Sequence, residues 1–387
     1  MDKRILLLAA AGLLAVPAHA ADKITLGFMS TLSGPNAIIG TEIRDGMQLA
    51  VEQLGGKIGG LPARVIVEDD QQKADVARQL AEKFVQSDKV DAAIGFSFSN
   101  LMLAVYKPLV DAKTVTISSN PGPSQLAGKD CSPYFFSTSW QGDNWAEGMG
   151  AYLQKKGLQN IYLIAPNYAA GKDVIAGLKR FYKGSVAAEV YTPLTQLDFS
   201  AELSQIKSSN ASAVFAFYPG GLGVQFVKQY AQAGLKDKFP LYSAYTVDES
   251  TLPAIGDDAL GLIVATSWAP DLDNATNKKF VSGFEKKYGR VPAPYAVHAY
   301  DTIMLLDTAV KAVNGKIEDK PAFLAALRKA QFESPRGAFK LNTNQFPIQT
   351  FYQGEVKKGA DGKPRIVIQD KALENYGDAY AQTCSMK

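Results

Sequence analysis

Cysteine and histidine are scarce: the 387 residues contain two of each. Cys131 and Cys384 are too few for a disulfide scaffold, and neither stands in a C-x-x-C or Cys/His cluster, so no zinc site is expected. His19 lies in the first twenty residues, which leaves His298 as the one histidine through which a Ser-His-Asp or Cys-His device could run. It sits in a helical-looking stretch beginning near Pro294 and reads as a satisfied structural histidine. Neither G-x-S-x-G nor H-E-x-x-H occurs. No nucleophile and base pair off, so no enzyme, cofactor or metal is expected. Charge of one sign is also lacking. Forty-one basic residues face 38 acidic ones, for a net charge of +3, and no long like-charge block occurs. That balance excludes a nucleic-acid partner.

Long apolar runs are missing as well. A membrane span needs about twenty such residues, whereas Ile5–Val16 offers about a dozen. With Lys3 and Arg4 before it and Ala18-His19-Ala20 after it, residues 1–20 form a secretory signal with cleavage after Ala20. No cysteine follows to carry a lipid anchor. Export leads to an oxidising compartment, where Cys131 and Cys384 are expected to pair, tying the C-terminal tail to the body.

What the sequence does contain is an ordinary globular composition, 47% hydrophobic and 20% charged, arranged as alternating strands and helices. Strands are expected at Ile24–Met29, Ala63–Val67, Asp91–Gly95, Thr114–Ile117, Ile161–Ala165, Ala187–Tyr191, Ala213–Tyr218, Leu241–Ala244 and Leu262–Thr266. Helical faces lie between them, such as Ile43, Met47, Ala50, Val51 and Leu54. The chain is longer than one doubly wound sheet needs, so two α/β lobes are expected. No Pro-rich or Ser-rich linker separates them, which implies several short crossings.

Glycine-rich Pro219-Gly220-Gly221-Leu222-Gly223 lacks a dinucleotide fingerprint, and Ala170-Gly171-Lys172-Asp173 lacks a phosphate loop's first glycine and Ser/Thr. Both read as strand-to-helix turns. Asp69-Asp70 closes a strand with no third metal ligand nearby. The informative residues are small polar groups and tyrosines just after strands, where open α/β sheets bind ligands. Ser97-Phe98-Ser99-Asn100 begins a helix and Ser118-Ser119-Asn120-Pro121 follows a strand. Hydroxyls and free amides at a helix start hold a carboxylate without any lysine or arginine, although helix capping by Ser99 would use the same residue. Tyr168, Tyr218 and Tyr245 end or follow strands of the second half, and their hydroxyls need partners. A polar cluster in one half and an aromatic one in the other point to a ligand clamped between two lobes.

At these residues the chain resembles the periplasmic solute-binding proteins of ABC transporters, in the leucine/isoleucine/valine-binding branch. The likeness rests on Ile24-Thr25-Leu26-Gly27, Leu32-Ser33-Gly34-Pro35 with Gly40, Asp69-Asp70-Gln71, Gly95, Ser118-Ser119-Asn120-Pro121, Asn167-Tyr168-Ala169-Ala170-Gly171 and Tyr300-Asp301, in order. It implies two Rossmann-like α/β lobes joined by a multi-crossing hinge, divided as 21–138 with 267–350 and 139–266 with 351–387. They close around a small solute passed to a membrane permease, and a monomer is expected. The resemblance gives Ser99 and Ser119 to the solute carboxylate, with Ser118 beside them, Tyr168 and Tyr218 to the second lobe, and Ile39 and Tyr295 to the side-chain pocket. Amino-acid binders of the branch place an acid near Tyr245 for the solute's ammonium. Its replacement by tyrosine, with Phe98, Tyr168, Tyr218, Tyr295 and Trp268, implies a flat aromatic pocket for a benzoate- or phenylpropenoate-type acid. An amino acid held by Asp143 or Asp248 is the alternative, and so is a sensory receptor of the same fold.

Titration of thiols in the unreduced, denatured protein checks whether Cys131 and Cys384 pair. No free thiol is expected; two would remove the bridge.

Overall fold

A computed structural model describes residues 21–386. The secretory signal read at 1–20 lies outside them. Six strands form the first sheet: β1 (Ile24–Ser30), β2 (Lys57–Ile58), β3 (Leu61–Asp69), β4 (Ala92–Gly95), β5 (Val115–Ser118) and β6 (Phe135–Ser137), in the order β2-β3-β1-β4-β5-β6. The second sheet holds β7 (Ile161–Pro166), β8 (Val186–Thr192), β9 (Ala213–Ala216), β10 (Leu241–Ala244) and β11 (Ile263–Thr266). A small hairpin, β12 (Phe332–Ser334) and β13 (Gly337–Phe339), precedes the long pair β14 (Gln349–Lys358) and β15 (Pro364–Tyr376). That pair adds antiparallel to β11, giving the order β15-β14-β11-β10-β9-β7-β8.

The helices are α1 (Ala37–Gln53), α2 (Ala74–Gln86), α3 (Ser99–Asp111), α4 (Ser124–Ala127), α5 (Asn144–Lys155), α6 (Ala169–Phe181), α7 (Ser200–Ser208), α8 (Gly221–Gln232), α9 (Leu252–Ile255), α10 (Ala275–Tyr288), α11 (Pro294–Ala312) and α12 (Lys320–Lys329). They cover both faces of parallel sheets, which explains why β1, β4, β5, β7, β9 and β10 read as continuous apolar runs and are buried throughout. The chain returns to the first lobe for α10 to α12, with α11 packed on α1. There Gly46 is required: a Cβ would lie 2.0 Å from the Ala296 carbonyl oxygen. The buried face of α1 also carries Glu42 and Asp45, and Arg290 reaches both at 2.8 Å. Burial nonetheless pushes the Glu42 carboxyl up to about 7, against the opposing pull of Arg290.

Two sequence expectations shift. The strand read to Tyr218 ends at Ala216, and Ser118 belongs to β5 instead of following it. Asp69 and Asp70 hold the loop after β1: Leu32 N–H donates to Asp69 at 2.8 Å and the Thr31 hydroxyl to Asp70 at 2.5 Å.

Three segments link the lobes: β6 to α5, β11 to α10, and β13 to β14. Arg336 stitches two of them together. Its guanidinium donates to the Thr138 carbonyl at 2.7 Å and the Ser139 carbonyl at 3.2 Å in the first, and to the Gln349 side chain in the third. Asp301 on α11 neutralises it at 2.6 Å, fully buried itself and held further by the Ser334 hydroxyl at 2.8 Å. One contiguous core runs from the first sheet through Trp140, Trp145 and Trp268 into the second. Cys131 and Cys384 are bonded, with Cα atoms 5.6 Å apart.

Replacing Arg336 with Met leaves Asp301 buried without its cation. A loss of about 3–5 kcal/mol is expected, read as a lower urea midpoint; an unchanged midpoint would show that the hinge does not depend on this pair.

Candidate functional site

Both sheets reverse their strand order once. In the first the reversal falls between β1 and β4, and in the second between β7 and β9. Loops leaving the carboxyl ends of such neighbours diverge and open a crevice. The two crevices face each other across one cavity. Its walls come from those turns: Ser97, Phe98 and Ser99 after β4, Tyr168 after β7, and Phe217 after β9. Asn120 to Gly122, Trp140, Tyr245, Ile39 at the start of α1 and Tyr295 at the start of α11 also contribute.

Six of the site residues expected from sequence are therefore brought together: Ile39, Phe98, Ser99, Tyr168, Tyr245 and Tyr295. Ser118, Ser119 and Tyr218 do not line the cavity. The Ser118 hydroxyl donates to the Pro121 carbonyl at 2.6 Å, and that of Ser119 pairs with Thr302 at 2.9 Å. Both are occupied in the layer beneath the floor. Tyr218 turns to the opposite face of its sheet, because side chains alternate along an extended chain. Its hydroxyl meets Thr192 at 3.0 Å and its ring packs on Phe199 and Phe226. The neighbouring Phe217 takes the cavity position. Trp268 is also buried elsewhere, its indole N–H donating to Asn277 at 2.7 Å. Trp140 and Phe217 also line the cavity and are not among the residues expected from sequence.

Ser99 is not the cap of α3. Phe98 occupies the cap position, and no side chain bonds there. The first helical bond runs from Met102 N–H to the Phe98 carbonyl at 2.9 Å, so the amides of Ser99, Asn100 and Leu101 are the helix's orphan donors. The Ser99 hydroxyl likewise bonds to no described residue and borders the cavity. Just before the helix, Phe96 is held at φ 69°, and Tyr245 after β10 at φ 59°. Side chains in this region cost about 1 kcal/mol or more each, strain that the surrounding packing sustains at both edges of the site.

Tyr245 is anchored by its hydroxyl, which accepts from Trp145 N–H at 3.1 Å and donates to the Gly142 carbonyl at 3.3 Å. Its ring stacks on Trp145 at 4.2 Å and meets Trp140 at 5.1 Å, so it offers the cavity a face. Burial pushes the hydroxyls of Tyr168, Tyr245 and Tyr295 above the ordinary tyrosine range, with nearby carboxylates adding to it. They are neutral donors at pH 7. Among the described residues no lysine, arginine, aspartate or glutamate lines the cavity. Asp143 is committed to Arg180 at 2.7 Å and Tyr380 at 2.8 Å. Asp248 accepts from the amides of Ser250 and Thr251 at 2.8 and 3.2 Å. His298 departs from expectation: it is fully buried, but neither ring nitrogen has a partner among the described residues.

The sequence pattern of the periplasmic binding proteins matches residues 23–363. The chain belongs to that family. A Leu/Ile/Val-binding protein homolog from Brucella melitensis is 31% identical over 90% of this chain and 91% of its own. Among solved structures, an ABC-transporter solute-binding protein of R. palustris in complex with benzoate is 32% identical, with TM-score 0.89, covering 94% of this chain and 100% of that one. A solute-binding protein from Rhodopseudomonas palustris BisB5, in complex with 3,4-dihydroxybenzoic acid, is 29% identical, with TM-score 0.88 over 93% and 99% of the two chains. The family and these neighbours carry solutes for transport and are not enzymes. This chain is accordingly an ABC solute-binding protein with the type I periplasmic fold. Among the described residues no helix is long and apolar enough to cross a membrane.

In this periplasmic binding protein the lobes touch across the cleft at either side of the cavity. Asp173 of α6 accepts from the Ser124 amide at 2.9 Å and its hydroxyl at 2.8 Å. On the other side the Pro35 loop seats on Gly221, where a Cβ would lie 2.4 Å from the Pro35 carbonyl oxygen. Gly221→Ala is expected to cost this contact about 1–3 kcal/mol by overpacking, relieved by parting of the lobes. Small-angle scattering should then give a larger radius of gyration than wild type under the same conditions; an equal radius would mean that the loop yields instead.

Proposed function

We propose that this protein captures a small aromatic carboxylate of the benzoate or phenylpropenoate type between its lobes and delivers it to an ABC permease in the inner membrane. The observation that carries this reading is a cavity walled by Phe98, Trp140, Tyr168, Phe217, Tyr245 and Tyr295, with no charged side chain among its lining residues. At one end stand the Ser99 hydroxyl and the unpaired amides of α3. Neutral donors at a helix start suit a carboxylate, and aromatic walls suit a planar ring. The benzoate and dihydroxybenzoate bound by the two Rhodopseudomonas neighbours support the same class.

An amino acid fits less well. Its ammonium would enter a closed cleft without a carboxylate, since Asp143 is consumed by Arg180 and Asp248 is not among the lining residues. Burying that charge unpaired would cost several kcal/mol.

In this proposal Ser99 and Tyr168 hold the carboxylate. Ile39, Phe98, Tyr245 and Tyr295 shape the ring site, and Ser118 and Ser119 support its floor. The moving bodies are residues 21–138 with 267–350 and 139–266 with 351–387. Solute binding shifts their population toward the closed form. The protein is exported by its leader and acts as a monomer in the periplasm.

A thermal-shift screen of residues 21–387 tests the reading with matched pairs: benzoate and phenylalanine, coumarate and tyrosine, a branched acid and leucine. The aromatic acids should raise the melting temperature by mass action, and the amino acids should not. Ser99→Ala should weaken the acid by about 1–3 kcal/mol in calorimetric titration. Stabilisation by amino acids alone would overturn the proposal.

A further inference from the structure

The cavity floor follows the carboxyl edge of the first sheet. It runs from the β4 turn at Ser97 to Ser99, past the β5 turn at Asn120 to Gly122, to the β6 exit at Trp140. Adjacent strands stand about 4.8 Å apart, so β4 and β6 are separated by about 10 Å. A solute whose carboxylate rests on the start of α3 therefore extends along this edge toward Trp140.

That tryptophan is wedged between rings. Trp145 lies 4.7 Å away, Tyr245 5.1 Å, Tyr295 6.1 Å and His298 4.6 Å, the last with its plane at 89°. Packing on so many sides holds it in place and makes it a fixed end wall. The groups behind it are polar but idle: both nitrogens of His298 and the indole nitrogen of Trp145 are buried without a partner among the described residues. Neither residue lines the cavity. Burial drives the His298 imidazole well below its ordinary range and Arg336 adds to this, so the ring is neutral, with one donor and one acceptor nitrogen.

Resting on the aromatic-acid reading above, we infer that Trp140 is the specificity-determining residue that makes the site prefer acids with the carboxylate directly on the ring over phenylpropenoates. A phenylpropenoate sets two more carbons between carboxylate and ring, and its far edge would meet the indole. Cutting Trp140 back lengthens the site and uncovers His298, a partner for a phenolic hydroxyl at the distal end.

Calorimetric titration of the full mature chain with benzoate, 4-hydroxybenzoate, cinnamate and 4-hydroxycinnamate tests this. Wild type should bind benzoate at least tenfold more tightly than cinnamate. Trp140→Ala and Trp140→Leu should shrink that ratio tenfold or more, and 4-hydroxycinnamate should gain more than cinnamate. Adding His298→Phe to Trp140→Leu should abolish the advantage of the phenol. Trp140→Phe, which keeps most of the packing, should move the ratio in the same direction by a smaller factor and serves if the smaller side chains do not fold. Equal binding of benzoates and cinnamates by wild type, or an unchanged ratio in variants that melt cooperatively, overturns the inference while leaving the aromatic-acid reading intact. Binding of amino acids and none of the four acids overturns both.

Discussion

The ion pair of Arg336 and Asp301 fixes the geometry on which the remaining structure depends. Two lobes joined by three peptide segments would hinge loosely if each segment were free. Here one guanidinium draws hydrogen bonds from the first and third segments onto a carboxylate of α11. A planar fork of donors suits this task, because it addresses several carbonyls and a carboxylate at once, where an ammonium would act as a point charge. Thr138 and Thr302 extend the arrangement by a hydroxyl pair at 2.7 Å, and Thr302 in turn meets Ser119 at 2.9 Å. The floor of the cavity is thereby continuous with the hinge.

This continuity separates two kinds of polar residue that look alike in sequence. Serines directly after strands divide into those facing the cavity, such as Ser99, and those spent on internal bonds, such as Ser118 and Ser119. Which is which depends on where a strand ends, and a shift of one residue exchanges the two faces. Ser118 lies inside β5 rather than after it, and Tyr218 lies past the true end of β9 on the side away from Phe217. Both departures have this one cause.

Much of the architecture was legible because parallel strands buried on both faces read as apolar runs and amphipathic helices as periodic ones. β14 and β15 were not, since their pattern mixes exposed lysines with a buried polar residue, Gln353. Trp140 escaped notice because nothing in its local pattern tells a core tryptophan from a cavity wall; only the convergence of two sheets does. The unpaired state of His298 was equally invisible, being a property of its neighbours and not of its spacing. Tyr245 was conspicuous, since it stands where an acid would be expected, and its anchored hydroxyl explains how the ring is kept edge-on to Phe217 at 5.7 Å.

The disulfide adds something that peptide connectivity alone does not. β15 belongs to the second sheet, whereas Cys131 lies between α4 and β6 of the first lobe, so the tail from Gly377 to Cys384 is a return strap across the hinge. Counted with the three peptide segments, it makes a fourth covalent link between the lobes. In the hinge motion proposed above, the eight residues from Gly377 to Cys384 limit how far the lobes can part.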